Sequence, residues 1–220
     1  MFLSKTNINK LYSQNKMPIR NIIFDWSGVI SNDQKTVYET SMKVFARFGI
    51  RKISFERYSE EFELPYENFY KKYITAPIEF VERAYQEECE TTPLPEIFPE
   101  AKEVLEKLKR QGIHITMFTS MNKTRLLKEM QHMGVEHLFP APKTDIRNKV
   151  AVFSDFVKSN GYKKDETIYV GDMVHDIHAA KRAGIRVVAV TRGYDSREKL
   201  EKEKPDYLID DLRELFGVVV

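Results

Sequence analysis

One cysteine, Cys89, and one tryptophan, Trp26, occur in 220 residues. A single thiol cannot close an intramolecular disulfide, so the fold is expected to stand without covalent staples and to suit the reducing cytoplasm. Cys89 has no CxxC partner and sits among glutamates, which reads as a bystander thiol. No run approaches the ~20 apolar residues that an α-helical membrane span needs, so no membrane association is expected. An excess of charge of one sign is also missing: the net charge is +2. That balance is too even for nucleic-acid binding driven by phosphate neutralisation. Internal repeats and low-complexity segments are absent too.

What basic excess there is lies at the start. Residues 1–20 hold Lys5, Lys10, Lys16 and Arg20 and no acid, which leaves about −2 for the rest. Residues 1–19 lack the apolar segment of a secretory signal and read as a basic N-terminal tail, with Met17 as an alternative start.

Beyond residue 20, short apolar runs alternate with helical periodicities. Asn21–Asp25 (NIIFD) reads as a buried strand closed by an acid, followed by Ser27-Gly28. Val37, Ser41, Val44, Phe45 and Phe48 repeat at helical spacing and stop at Gly49. Residues 54–92 contain ten glutamates against four basic residues, with prolines 65, 77 and 93 at the edges of short helices. The glutamates read as solvated helix faces. Further strands are expected at Ile113–Thr119, Thr167–Gly171, Arg186–Thr191 and Tyr207–Ile209. Helices are expected over 101–111, 123–133, 148–160 and 174–183, the last stopped by Gly184. This alternation predicts an α/β, Rossmann-like parallel sheet flanked by helices. Asp25 and Thr119 are 94 residues apart, too far for a simple crossover, so roughly 33–95 must be a separate helical insert. The core then comprises 20–32 and 96–220.

In such sheets ligands bind beyond the carboxyl ends of the strands. Polar residues stand at three of them: Asp25-Trp26-Ser27-Gly28, Thr119-Ser120, and Gly171-Asp172 with Asp176 four residues on. Two carboxylates with substrate oxygens and water suit Mg²⁺, whereas thiolate or imidazole metals would want Cys or His clusters. Asp25 can then act as a nucleophile on a phosphoryl group, with Thr119 and Ser120 as donors to its oxygens and a lysine as a fixed positive charge. Trp26, beside the nucleophile, either lines the substrate pocket or packs beneath the insert. His175 and His178 read as surface histidines.

These motifs resemble the haloacid dehalogenase superfamily over nearly everything from residue 20 onward. FDWSGVIS is similar to its first motif, MFTS to its second and VGDMVHD to its fourth. The stretches 97–120 and 176–215 resemble its phosphoglycolate phosphatase branch. The resemblance implies a helical cap at 33–95 and a small phosphorylated substrate. It also implies Mg²⁺ held by Asp25, the Ser27 backbone carbonyl, Asp172 and Asp176. For the lysine of the third motif, the family spacing favours Lys149, 23 residues before Asp172, over Lys143. One departure stands out. Where the family's phosphatases carry an aspartate that protonates the leaving group, this chain has Ser27. A general acid contributes about 10²–10⁴-fold, so turnover is expected to be slow or biased toward good leaving groups. DWSGV is also similar to the first motif of phosphonoacetaldehyde hydrolases, which cleave a C–P bond through a cap lysine, with Lys71 and Lys72 as the nearest candidates. A catalytically weak phospho-ligand-binding protein is the non-enzymatic alternative. Oligomeric state is not legible.

Overall fold

The computed structural model describes residues 18–219. The basic tail therefore lies outside the described residues, apart from Pro18 and Ile19. Ile19 is buried in the core, which takes up the chain one residue earlier than expected.

In chain order the elements are β1 (Asn21–Phe24), β2 (Ser31–Asn32), α1 (Gln34–Arg47), α2 (Phe55–Glu61), α3 (Glu67–Lys71) and α4 (Ile78–Thr91). They continue with β3 (Glu96–Ile97), α5 (Ala101–Arg110), β4 (His114–Met117), α6 (Lys123–Met133), α7 (Lys149–Ser159) and β5 (Thr167–Gly171). The last are α8 (Val174–Ala183), β6 (Arg186–Val190), α9 (Arg197–Lys202), β7 (Tyr207–Ile209) and α10 (Leu215–Val218). Strands β1 and β4 are shorter than their apolar runs, because the chain turns into loops at the polar ends. Pairing nonetheless continues past β1, since the Asp25 amide donates to the Val170 carbonyl at 2.8 Å.

Five strands form a parallel sheet in the order β4-β1-β5-β6-β7. Side chains alternate across it, and both faces are covered. Ile22, Phe24, Val170 and Val188 pack against Leu105 and Leu108 of α5 and Leu126 and Met130 of α6. Ile23, Tyr169, Val187 and Ala189 face Phe153 and Val157 of α7 and Ile177 and Ala180 of α8. Full burial of each large aliphatic side chain contributes roughly 1.5–3 kcal/mol, which is why the apolar runs became strands and the striped segments helices. The chain runs from β1 out to its neighbour β4 on one side and from β4 back across to β5 on the other. A crevice therefore opens at the carboxyl ends of these three strands, where an α/β sheet holds its ligand.

Helices α1–α4 build a core of their own from Tyr38, Phe45, Tyr58, Phe69 and Val81, with the Phe45 and Phe69 rings stacked at 5.8 Å. The chain enters and leaves this unit through an antiparallel pair of two-residue strands, Ser31 opposite Ile97 and Asn32 opposite Glu96. No helix among the described residues is long and apolar enough to cross a membrane.

Candidate active site

Asp25 follows β1 directly and is 4% exposed. Its Oδ1 accepts the Trp26 amide at 2.8 Å, and its Oδ2 lies 2.5 Å from Lys149 Nζ. The Lys149 Nζ also lies 2.8 Å from Asp176 Oδ1. Lys149 opens α7 and is fully buried, whereas Lys143 is exposed beside β4. Burial alone would depress the Lys149 ammonium, but the charges of Asp176 and Asp25 outweigh it and hold the group above its ordinary range. Two partners fix the start of α7. Asn148 caps it by accepting the Ala151 amide, and His175 Nε2 accepts the Lys149 amide at 3.0 Å. The second role requires a neutral imidazole, and burial lowers His175 to about 4. His175 is thus half-buried and engaged, not a plain surface residue, while His178 is exposed and pairs with Glu203.

Asp172 follows β5, is fully buried, and approaches backbone on two sides. A Cβ on Gly28 would lie 2.2 Å from Asp172 Oδ2, and one on Gly193 would lie 2.0 Å from it, so both positions require glycine. The Tyr194 amide donates to Oδ2 at 2.6 Å, while Oδ1 has no hydrogen-bond partner. Burial, then the Asp176 and Asp25 charges, raise the Asp172 carboxyl well above its ordinary value. Asp176 sits in the first turn of α8. Its Oδ1 accepts Lys149 Nζ and the Tyr169 hydroxyl, and its Oδ2 accepts the amides of Asp172 and Met173. One carboxylate oxygen from each of Asp25, Asp172 and Asp176 lies within 4.8 Å of the others. The donor set fits a hard dication. It is all oxygen, it converges, and it includes a buried carboxylate oxygen that no protein donor satisfies.

Thr119 and Ser120 follow β4 at the rim of the same crevice. Thr119 is buried and its Oγ1 accepts the Met121 amide at 3.2 Å, while Ser120 Oγ has no partner. A cavity of about 330 Å³ joins these groups to the helical unit, lined by Asp25, Ser27, Thr119, Ser120 and Asp172 on the sheet side.

Trp26 requires correction as a substrate contact. Its side chain is fully buried in the core and is not part of the cavity wall, and its indole N–H donates to Glu129 Oε2 at 2.8 Å. Glu129 in turn accepts the Ser31 hydroxyl and Arg125 Nε, and Arg125 reaches the Cys89 and Pro93 carbonyls at the exit of the helical unit. Lys71 and Lys72 are exposed and do not line the cavity.

Asp33 escaped the sequence analysis. It is 1% exposed, accepts the Gly28 amide at 3.2 Å and the Tyr194 hydroxyl at 3.3 Å, and leaves Oδ2 without a partner. Burial, then the Glu129 charge, push its carboxyl up to about 7 against hydrogen bonds from the Ser27 hydroxyl and Gly28 amide. A carboxyl therefore stands beside Ser27, supplied from six residues downstream. No motif marked it, since its neighbours come together only through the fold. A raised carboxyl favours the folded state while protonated. That contribution is full below pH ~4 and is lost as pH rises through about 7. In metal-free buffer, wild type is expected to lose on the order of 2 kcal/mol relative to Asp33→Asn between pH 5 and 8. Chemical denaturation of both proteins at the two pH values checks this. Parallel stabilities would contradict it.

The sequence profile of the haloacid dehalogenase-like hydrolases matches residues 22–190. A phosphoglycolate phosphatase from Synechococcus elongatus is 24% identical over 90% of this chain and 96% of its own length. The crystal structure of a predicted phosphoglycolate phosphatase from Haemophilus somnus superimposes with a TM-score of 0.79 at 20% identity, covering 92% of this chain and 98% of that one. CbbY from Rhodobacter sphaeroides, crystallised with phosphate, gives a TM-score of 0.75 at 17% identity over 90% of this chain and 96% of its own. With the motif residues gathered around one crevice and a family match over most of the sequence, the chain belongs to the haloacid dehalogenase-like hydrolases.

Proposed function

We propose that the protein is a Mg²⁺-dependent phosphatase that hydrolyses a small phosphate monoester through an aspartyl-phosphate on Asp25. The observation that carries this is the Asp25–Lys149–Asp176 chain beside Asp172, whose Oδ1 lacks a protein donor. Asp25, Asp172 and the Ser27 carbonyl would hold Mg²⁺, which, when bound, neutralises phosphoryl charge and aligns the two anions. All four acceptor positions of Asp176 are taken by protein donors, so we assign it to positioning Lys149 and the Asp172 loop.

Asp25 Oδ attacks phosphorus, the bond from phosphorus to the ester oxygen breaks with its electron pair going to that oxygen, and water later cleaves the acyl phosphate to free Asp25 and inorganic phosphate. The Lys149 charge lowers repulsion between Asp25 and the incoming anion, and the Thr119 and Ser120 hydroxyls donate to the phosphoryl oxygens. The helical unit over residues 33–95 serves as the cap that excludes water. With serine at position 27, leaving-group protonation is the weak step, and esters of acidic alcohols are favoured.

Two readouts test this. Phosphate release from p-nitrophenyl phosphate should require Mg²⁺. Independently of turnover, Mg²⁺ at about 100 times its Kd should stabilise the fold by about 2.7 kcal/mol, visible as a melting shift of roughly 5–10 °C. Asp172→Asn should lose that shift. An unchanged melting temperature with saturating Mg²⁺ would sink the metal assignment.

A further inference from the structure

We infer that the leaving group is an uncharged, ring-bearing alcohol and not a carboxylate-bearing one, an inference that rests on the phosphatase reading above. Beyond the phosphoryl end, the cavity walls include Val37, Leu64, Tyr66, Tyr70, Val81 and Tyr85 beside the uncharged polar Thr36, Thr40 and Gln86. The tyrosyl hydroxyls are neutral and largely engaged. Tyr70 shares a hydrogen bond with Ser41, Tyr66 donates to Glu82, and burial raises both phenols above their ordinary value.

A carboxylate held here would need a cation, because an unpaired buried charge is expensive. Among the described lining residues the cations are Arg125, Lys128 and Arg147, and each is committed elsewhere. Arg125 Nε donates to Glu129 at 2.7 Å while its Nη atoms grip the Cys89 and Pro93 carbonyls. Lys128 pairs with Glu90 at 2.7 Å on the exposed rim. Arg147 pairs with Glu82 at 2.7 Å and stands 3.9 Å from Glu67. Lys149 serves Asp25 and Asp176 below the floor. Beyond Asp25 and Asp172 at the floor, the remaining ionisable groups on the wall are acids: Asp33, Glu82, Glu90, Glu129 and Asp145. Lining of this kind repels a second anion and favours a flat apolar ring, which stacks on tyrosine with offset or edge geometry.

The volume agrees. About 330 Å³ is the lower end of small-molecule pockets and far more than a two-carbon acid occupies.

The test compares three alkyl esters whose leaving oxygens are similar, so that pocket fit and not leaving-group acidity is measured: benzyl phosphate, glycerol phosphate and phosphoglycolate, each with Mg²⁺. We expect kcat/KM for benzyl phosphate to exceed that for phosphoglycolate by about 50-fold, the return on burying one ring, with glycerol phosphate between them. Leu64→Arg, which adds an uncommitted cation to the wall, should narrow that ratio about tenfold. Phosphoglycolate turned over as well as or better than benzyl phosphate, or a ratio that Leu64→Arg leaves unchanged, overturns the leaving-group assignment while the phosphatase reading stands. No phosphate release from any of the three or from p-nitrophenyl phosphate overturns the phosphatase reading, and the leaving-group assignment with it.

Discussion

Asp25→Asn is expected to lower kcat by on the order of 10⁵-fold, the scale seen when a covalent nucleophile is removed. Asparagine matches aspartate in size and its carbonyl can still accept the Trp26 amide, so the loop after β1 should keep its course. What it lacks is an anionic oxygen to attack phosphorus, and an amide oxygen is a far weaker nucleophile. The substitution also removes one of the two acids that face Lys149 Nζ. Steady-state phosphate release, with circular dichroism to verify the fold, measures the effect. A variant retaining a tenth of wild-type turnover would place the nucleophile elsewhere.

Lys149→Met carries the largest expected loss of stability, about 3–5 kcal/mol, because it leaves Asp25 and Asp176 buried without their shared cation. Methionine fills most of the lysine stem's volume, so the loss reports charge more than a cavity. The size of that loss should depend on pH. Asp176 has a lowered carboxyl, since Lys149's charge and hydrogen bond outweigh its burial. Its contribution is present above the ordinary aspartate range and disappears as pH falls through the lowered value. The variant should therefore lie closest to wild type in acid and furthest from it near neutrality. Urea denaturation at pH 3 and 7.5 follows both proteins, and a constant gap between them would show that packing, not charge, is what was lost.

The sheet was legible because its strands are buried on both faces and so read as apolar runs with few polar interruptions. Ile22 and Ile23 point to opposite faces, yet each meets a packed helix layer. The insert was legible from chain length alone. The strand pair that gates it was not, since two residues such as Ser31 and Asn32 carry no periodicity. At the site, order along the chain marked Asp25, Thr119, Ser120, Asp172 and Asp176, each at a strand end or one turn beyond. Lys149 and Lys143 stayed open in the sequence, and only burial separates them. Trp26 stayed open for a related reason. A residue beside a nucleophile faces either crevice or core, and the choice rests on Glu129, which lies 103 positions away. Asp33 and His175 depend on the same kind of distant partner, Tyr194 for one and the amide of Lys149 for the other.

The paired crossings at Ser31–Asn32 and Glu96–Ile97 behave as two leaves of a door hung on adjacent pins. Because the strands are bonded to each other, the two crossings are coupled, and displacing one alone would break the pairing. Asp33 is the first residue past that pair, and its carboxyl is tethered to Gly28 on one side and Tyr194 on the other. Any displacement of these crossings would therefore pull, through Asp33 and Gly28, on the segment that carries Ser27.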